Sequence, residues 1–122
     1  GLWLDSADKL IFRVEDDSES AYIGQKIDVA LTAGRWYHVV CTLSSVRKHL
    51  YVNGNLEVSQ TVSATTISRS GSSEDTIANL GSTVWDGYQF KGDFASVIFY
   101  TKALSHAEVK QNYNATRSRF GL

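Results

Sequence analysis

Two histidines, a cysteine and a tryptophan crowd the stretch RWYHVVCTLSSVRKHLYVNGN, residues 35–55. Such side chains can bind zinc or pair as a thiolate nucleophile with its base, and either chemistry requires them to converge on one point. His38 and Cys41 stand three apart, so on an extended strand they leave opposite faces. His49, on the next strand, could approach one of them, but two histidines with no carboxylate to orient them make a weak site. Packing is therefore the expected role here. Cys41 is the only cysteine and can close no internal disulfide. In its apolar run it reads as a small buried hydrophobe, which leaves the redox compartment open.

The elements that position these residues show through period-two patterning. Leu10, Phe12 and Val14 alternate with Lys9, Arg13 and Glu15, and Ile27, Val29 and Leu31 alternate with Asp28 and Ala30. Leu56, Val58 and Val62 alternate with Glu57, Ser59 and Thr61, so each run predicts a strand with one covered face. Turn-rich tracts at 16–20, 32–34, 53–55, 68–75 and 86–87 separate them. Asn53-Gly54 lies between two such runs and predicts a type I′ hairpin, whose two central residues need positive φ. FKGDFASVIFY, residues 90–100, is apolar on both alternating sets and predicts a strand covered on both sides. A helix over 105–113 follows, with Ser105 as N-cap, Glu108 closing a capping box and Leu104 stapled to Val109. Val109 and Tyr113, four apart, share the face that packs on a sheet. About eight short strands and one terminal helix, with no proline, predict an all-β antiparallel sandwich.

Three motifs carry a family resemblance: Trp36-Tyr37-His38-Val39, Leu50-Tyr51-Val52-Asn53-Gly54, and Phe90-Lys91-Gly92-Asp93-Phe94 leading through Ala103-Leu104-Ser105 to Asn112-Tyr113. Over residues 2–113 the chain resembles a laminin-G-like domain of the concanavalin A-like lectin/glucanase superfamily. The resemblance implies a jelly-roll of two curved sheets serving adhesion or carbohydrate binding. It also implies strands ahead of residues 2–15 that the sequence lacks, so an incomplete sandwich with open edges is expected. Residues 1–113 form the domain in this reading. The tail at 114–122 is similar to the ends of laminin-G-like modules in tailed-phage and other viral structural proteins.

Glu15, Asp17 and Glu19 resemble in spacing the acid/base and nucleophile cluster of retaining glucanases in that superfamily. Asp16 and Ser18 stand where those enzymes carry apolar residues, so the segment reads as a solvated turn without the fixed carboxyl pair that retaining hydrolysis needs. A glycoside hydrolase remnant is thus the least favoured reading. Trp85, Asp86 and Tyr88 fit sugar recognition by stacking and hydroxyl bonding, with Trp85 as a cap on the core the competing account. Calcium binding, common in laminin-G-like domains, would fall to Asp75 and Asp86, whose spacing is not that of a dedicated loop. Asn114-Ala115-Thr116 has the form of a glycosylation sequon. Arg117, Arg119 and Phe120 form a candidate tail for docking to a partner.

With 12 basic against 13 acidic side chains and no block of either sign, no nucleic-acid partner is expected. No apolar stretch approaches the roughly 20 residues of a membrane span, so no membrane insertion is expected. The lack of methionine makes Gly1 an unlikely translation start, and a processed product or fragment is expected. The combined expectation is a non-catalytic binding or structural module of an extracellular or virion-surface assembly, its sheets completed by other subunits or an upstream segment. The alternative is a calcium-assisted lectin domain whose partners are glycans.

Overall fold

The computed structural model describes residues 2–4, 9–12, 14–15, 22–23, 26–61 and 91–122. Its strands are β1 (Leu2–Leu4), β2 (Lys9–Phe12), β3 (Val14–Glu15), β4 (Tyr22–Ile23), β5 (Lys26–Ala30), β6 (Val39–Leu43), β7 (Arg47–Val52) and β8 (Asn55–Thr61). Helix α1 (His106–Thr116) and a 3₁₀ helix (Arg117–Phe120) close the chain. The sheets run β1-β2-β5, β3-β4 and β6-β7-β8, and every pairing is antiparallel.

Alternation along β6 and β7 gives the third sheet two different faces. Val39, Cys41, Leu50 and Val52 point inward with Val58, and meet Leu10, Leu4 and Phe12 of the first sheet together with Leu31 and Tyr37. Leu50 and Val52 are buried there, and covering a side chain of that size contributes about 1.5–3 kcal/mol. On the outer face Val40 and Tyr51 lie under Leu104 and Val109, so α1 forms a layer behind the sheet. Two sheets thus meet face to face. The closed jelly-roll of the resemblance would need more strands than the described residues supply.

Three expectations need correction. Leu56 and Val58 do not share a face, because the β7–β8 register slips by one residue between Leu50 and Tyr51: Leu50 pairs Val58 while Tyr51 pairs Leu56. The extra residue is a β-bulge, which turns Leu56 out to solvent and leaves Val58 in the core. The strand expected at 90–100 is not formed over 91–100, whose residues are all exposed. Among the described residues no strand lies alongside it, and an extended backbone becomes a strand only when a neighbour supplies the hydrogen-bond ladder. The helix expected to end at Tyr113 continues to Thr116, whose hydroxyl donates back to the Asn112 carbonyl oxygen at 2.9 Å. The 3₁₀ helix then occupies residues assigned to the tail and ends at Gly121, with φ 68°.

Candidate functional site

The turn that joins β7 to β8 is the platform on which α1 sits. Asn53 and Gly54 take φ of 51° and 75°, the left-handed pair that a type I′ turn requires. Asn53 also locks the entry to β6: its Oδ1 accepts from the His38 backbone N–H at 3.0 Å, and its own N–H donates to the His38 carbonyl at 2.8 Å. Helix α1 approaches so closely that a Cβ on Gly54 would stand 2.9 Å from Tyr113 Cδ1 and 3.1 Å from Lys110 Cδ. Gly54 therefore serves both turn and helix docking.

The start of α1 is held by the predicted capping box. Ser105 Oγ accepts from the Glu108 backbone N–H at 3.3 Å, and the Ser105 N–H donates to Glu108 Oε2 at 2.8 Å. Lys102 donates to the other carboxylate oxygen. The Lys102 contact, with the Ser105 bonds behind it, lowers the Glu108 pKa to about 2. Leu104 and Val109 are buried together as the staple predicts.

The histidines and the cysteine of residues 35–55 divide between the two faces of the third sheet. Cys41 is packed inward among Leu50 and its neighbours, and burial pushes its thiol up to about 12, far from reactive. His38 faces α1, with its ring 5.8 Å from that of Tyr113. His49 stands 5.9 Å from Tyr51, which in turn lies 5.8 Å from His106. His49 Nδ1 is also 3.3 Å from Thr42 Oγ1. Each histidine thus rests against a tyrosine. Among the described residues no three His, Cys, Asp or Glu side chains gather as a cation site.

The other candidates scatter. Glu15 pairs with Tyr22 in the β3–β4 ladder, and Asp17 and Glu19 lie outside the described residues. Trp85, Asp86 and Tyr88, with the calcium candidates Asp75 and Asp86, also lie outside them. Asn114 is exposed on α1. Of the docking-tail residues, Phe120 packs back on Trp36 with ring centroids 5.2 Å apart. Arg119 sits over the Phe120 ring at 5.6 Å and Arg117 over Tyr113 at 5.9 Å, so both cations rest on rings of their own chain.

Val97, Ile98, Phe99 and Tyr100, in the run expected to be covered, instead form a surface 43 %, 65 %, 70 % and 48 % exposed. Its signal was visible as an apolar run on both alternating sets, which implied cover on both sides. Tyr100 is tied to α1 by its hydroxyl, which accepts from Asn112 Nδ2 at 3.0 Å.

Comparison with known proteins agrees with this geometry. A laminin G family model described as the concanavalin A-like lectin/glucanases superfamily matches residues 1–110, and the chain belongs to that family. No curated protein matches the sequence. Among solved structures the fold is similar to that of an S-layer domain-containing protein from Clostridium thermocellum, with TM-score 0.55 and 23 % identity over 86 % of this chain. The match covers 51 % of that structure, so this chain spans about half its length. No helix among the described residues is long and apolar enough to cross a membrane.

Proposed function

We propose that the chain is a non-catalytic binding and structural module of a larger extracellular or virion-surface assembly. Its sheets are completed by strands from outside the chain, which pair along residues 96–100. The bare run Val97–Tyr100 is the observation that carries this reading. Lone exposed apolar residues are ordinary, but four consecutive large ones form a patch that soluble proteins normally cover. A second strand laid along this backbone would satisfy its ladder groups as well as part of its apolar surface. The family supports the proposal, since laminin-G-like sandwiches serve widely in adhesion. An S-layer domain-containing protein with the same fold supports a surface assembly.

Gel filtration and small-angle scattering over a range of concentrations test it. Association that Ile98→Asp abolishes is the expected result. A compact monomer at every concentration, unchanged by that substitution, would overturn the need for a partner. A glycan array run with and without chelator distinguishes the lectin alternative: binding that chelation removes would move the function to Trp85, Asp86 and Tyr88.

A further inference from the structure

One buried polar atom is left without use in the docking platform. The His38 ring lies between the locked entry to β6 and the face of α1, and among the described residues its Nδ1 is buried with no hydrogen-bond partner. On the strand side Asn53 engages only the His38 backbone. On the helix side the ring meets Tyr113. That same tyrosine ring carries Lys110 Nζ at 5.3 Å and the Arg117 guanidinium at 5.9 Å. Lys110 also reaches Asn55 Oδ1 at 3.4 Å, which fixes it close to the turn. The charged groups gathered around Tyr113 are therefore cations. Glu108, the carboxylate in the first turn of α1, is committed to Lys102 and Ser105.

We propose that His38 is an acid-sensitive latch for α1: a proton on its ring loosens the helix and the 3₁₀ end from the Asn53-Gly54 turn and uncovers Val40 and Tyr51. The added proton would put a charge into a buried place where the ring Nδ1 has no partner among the described residues. Burial alone already lowers the His38 pKa from 6.5, which agrees with the geometry. The folded state favours the neutral ring, so the stabilisation is complete above the unfolded value near 6.5. It is lost as the pH falls from there toward the folded pKa.

The test measures exchange protection factors for the α1 amides from pH 8 to pH 5, corrected for intrinsic exchange, beside an NMR titration of the His38 ring. The expected result is a His38 pKa below 6.5 and α1 protection that falls in acid by about tenfold for each unit of that depression. His38→Phe keeps a ring against Tyr113 but holds no titrating nitrogen, and should remove most of the pH dependence. Should that variant fail to fold, Tyr113→Ala keeps His38 but opens its ring to water, and should raise its pKa toward 6.5. A His38 pKa at or above 6.5, α1 protection that ignores pH, or acid release that persists undiminished in His38→Phe would each overturn the latch.

Discussion

Helix α1 and the segment just before it are nearly adjacent in sequence, yet the largely polar helix has its apolar Val109 covered while the apolar run Val97–Tyr100 is bare. Val109 is fully buried, while Ile98 and Phe99 are 65 % and 70 % exposed. Hydrophobicity runs the wrong way to explain this, since the more apolar segment is the exposed one; hydrogen bonding explains it. A helix satisfies its backbone internally and, once Ser105 and Glu108 cap its first turn, needs only one apolar face to settle on. An extended segment leaves alternate backbone groups open until a neighbouring strand arrives. Among the described residues the helix is therefore finished, while the run at 97–100 has no strand paired beside it.

The most severe way to break the covered half is Val109→Asp, which places a carboxylate at a position with no exposure. A loss on the order of 3 kcal/mol or more is expected, read as a lower urea midpoint. An unchanged midpoint would mean that α1 does not share the fold's stability. Next comes Gly54→Ala, where positive φ and a 2.9 Å approach to Tyr113 act together. About 1–3 kcal/mol should be lost. Gly34→Ala is the matched control: its φ of 78° imposes similar strain, but nothing lies within 4 Å of the added methyl. The difference between the two variants isolates the helix contact, and equal losses would show that α1 does not press on the turn.

The same contrast explains what could be read in advance. The cap, the staple and the Asn53-Gly54 turn were legible because each is set by residues within a few positions of one another. His38 and Cys41 could be assigned to opposite faces because strand alternation is local too. The bulge that separates Leu56 from Val58 was hidden, since a register slip belongs to a pair of strands and not to either one. The apolar residues on both alternating sets of 90–100 record the cover that segment requires, not the cover it has. The tail reads in sequence as a segment for docking to a partner because nothing local shows that Phe120 reaches back to Trp36. The ligand candidates Asp75, Trp85, Asp86 and Tyr88 all fall outside the described residues.

A smaller effect sharpens the account of why the helix stands by itself. Ser105→Ala removes the side-chain half of the capping box and should cost about 1 kcal/mol. It also removes one of the hydroxyl contacts that help Lys102 hold the Glu108 carboxylate near 2. The Glu108 pKa should therefore rise toward its ordinary 4.5. Because a depressed carboxylate pKa stabilises the fold above the unfolded value and loses that effect as the pH falls toward 2, the variant should show a shallower acid slope between those limits. A carboxyl carbon NMR titration checks it. An unmoved Glu108 would leave Lys102 and the backbone N–H of residue 105 as the sources of the depression.

The bare half gives the smallest effect on stability and the clearest statement about function. Ile98 is 65 % exposed, so Ile98→Asp removes little buried surface and should shift the unfolding free energy of the isolated chain by no more than about 0.5 kcal/mol. The same substitution should abolish association, because an added strand would have to bury the new carboxylate against apolar neighbours. Stability and assembly then respond oppositely to mutations on the two sides of Ser105: Val109→Asp unfolds the chain, and Ile98→Asp only isolates it. A large stability loss in Ile98→Asp would mean that this residue already belongs to the fold's own core. The run would then be an integral strand, and the reading of it as a docking edge would fail.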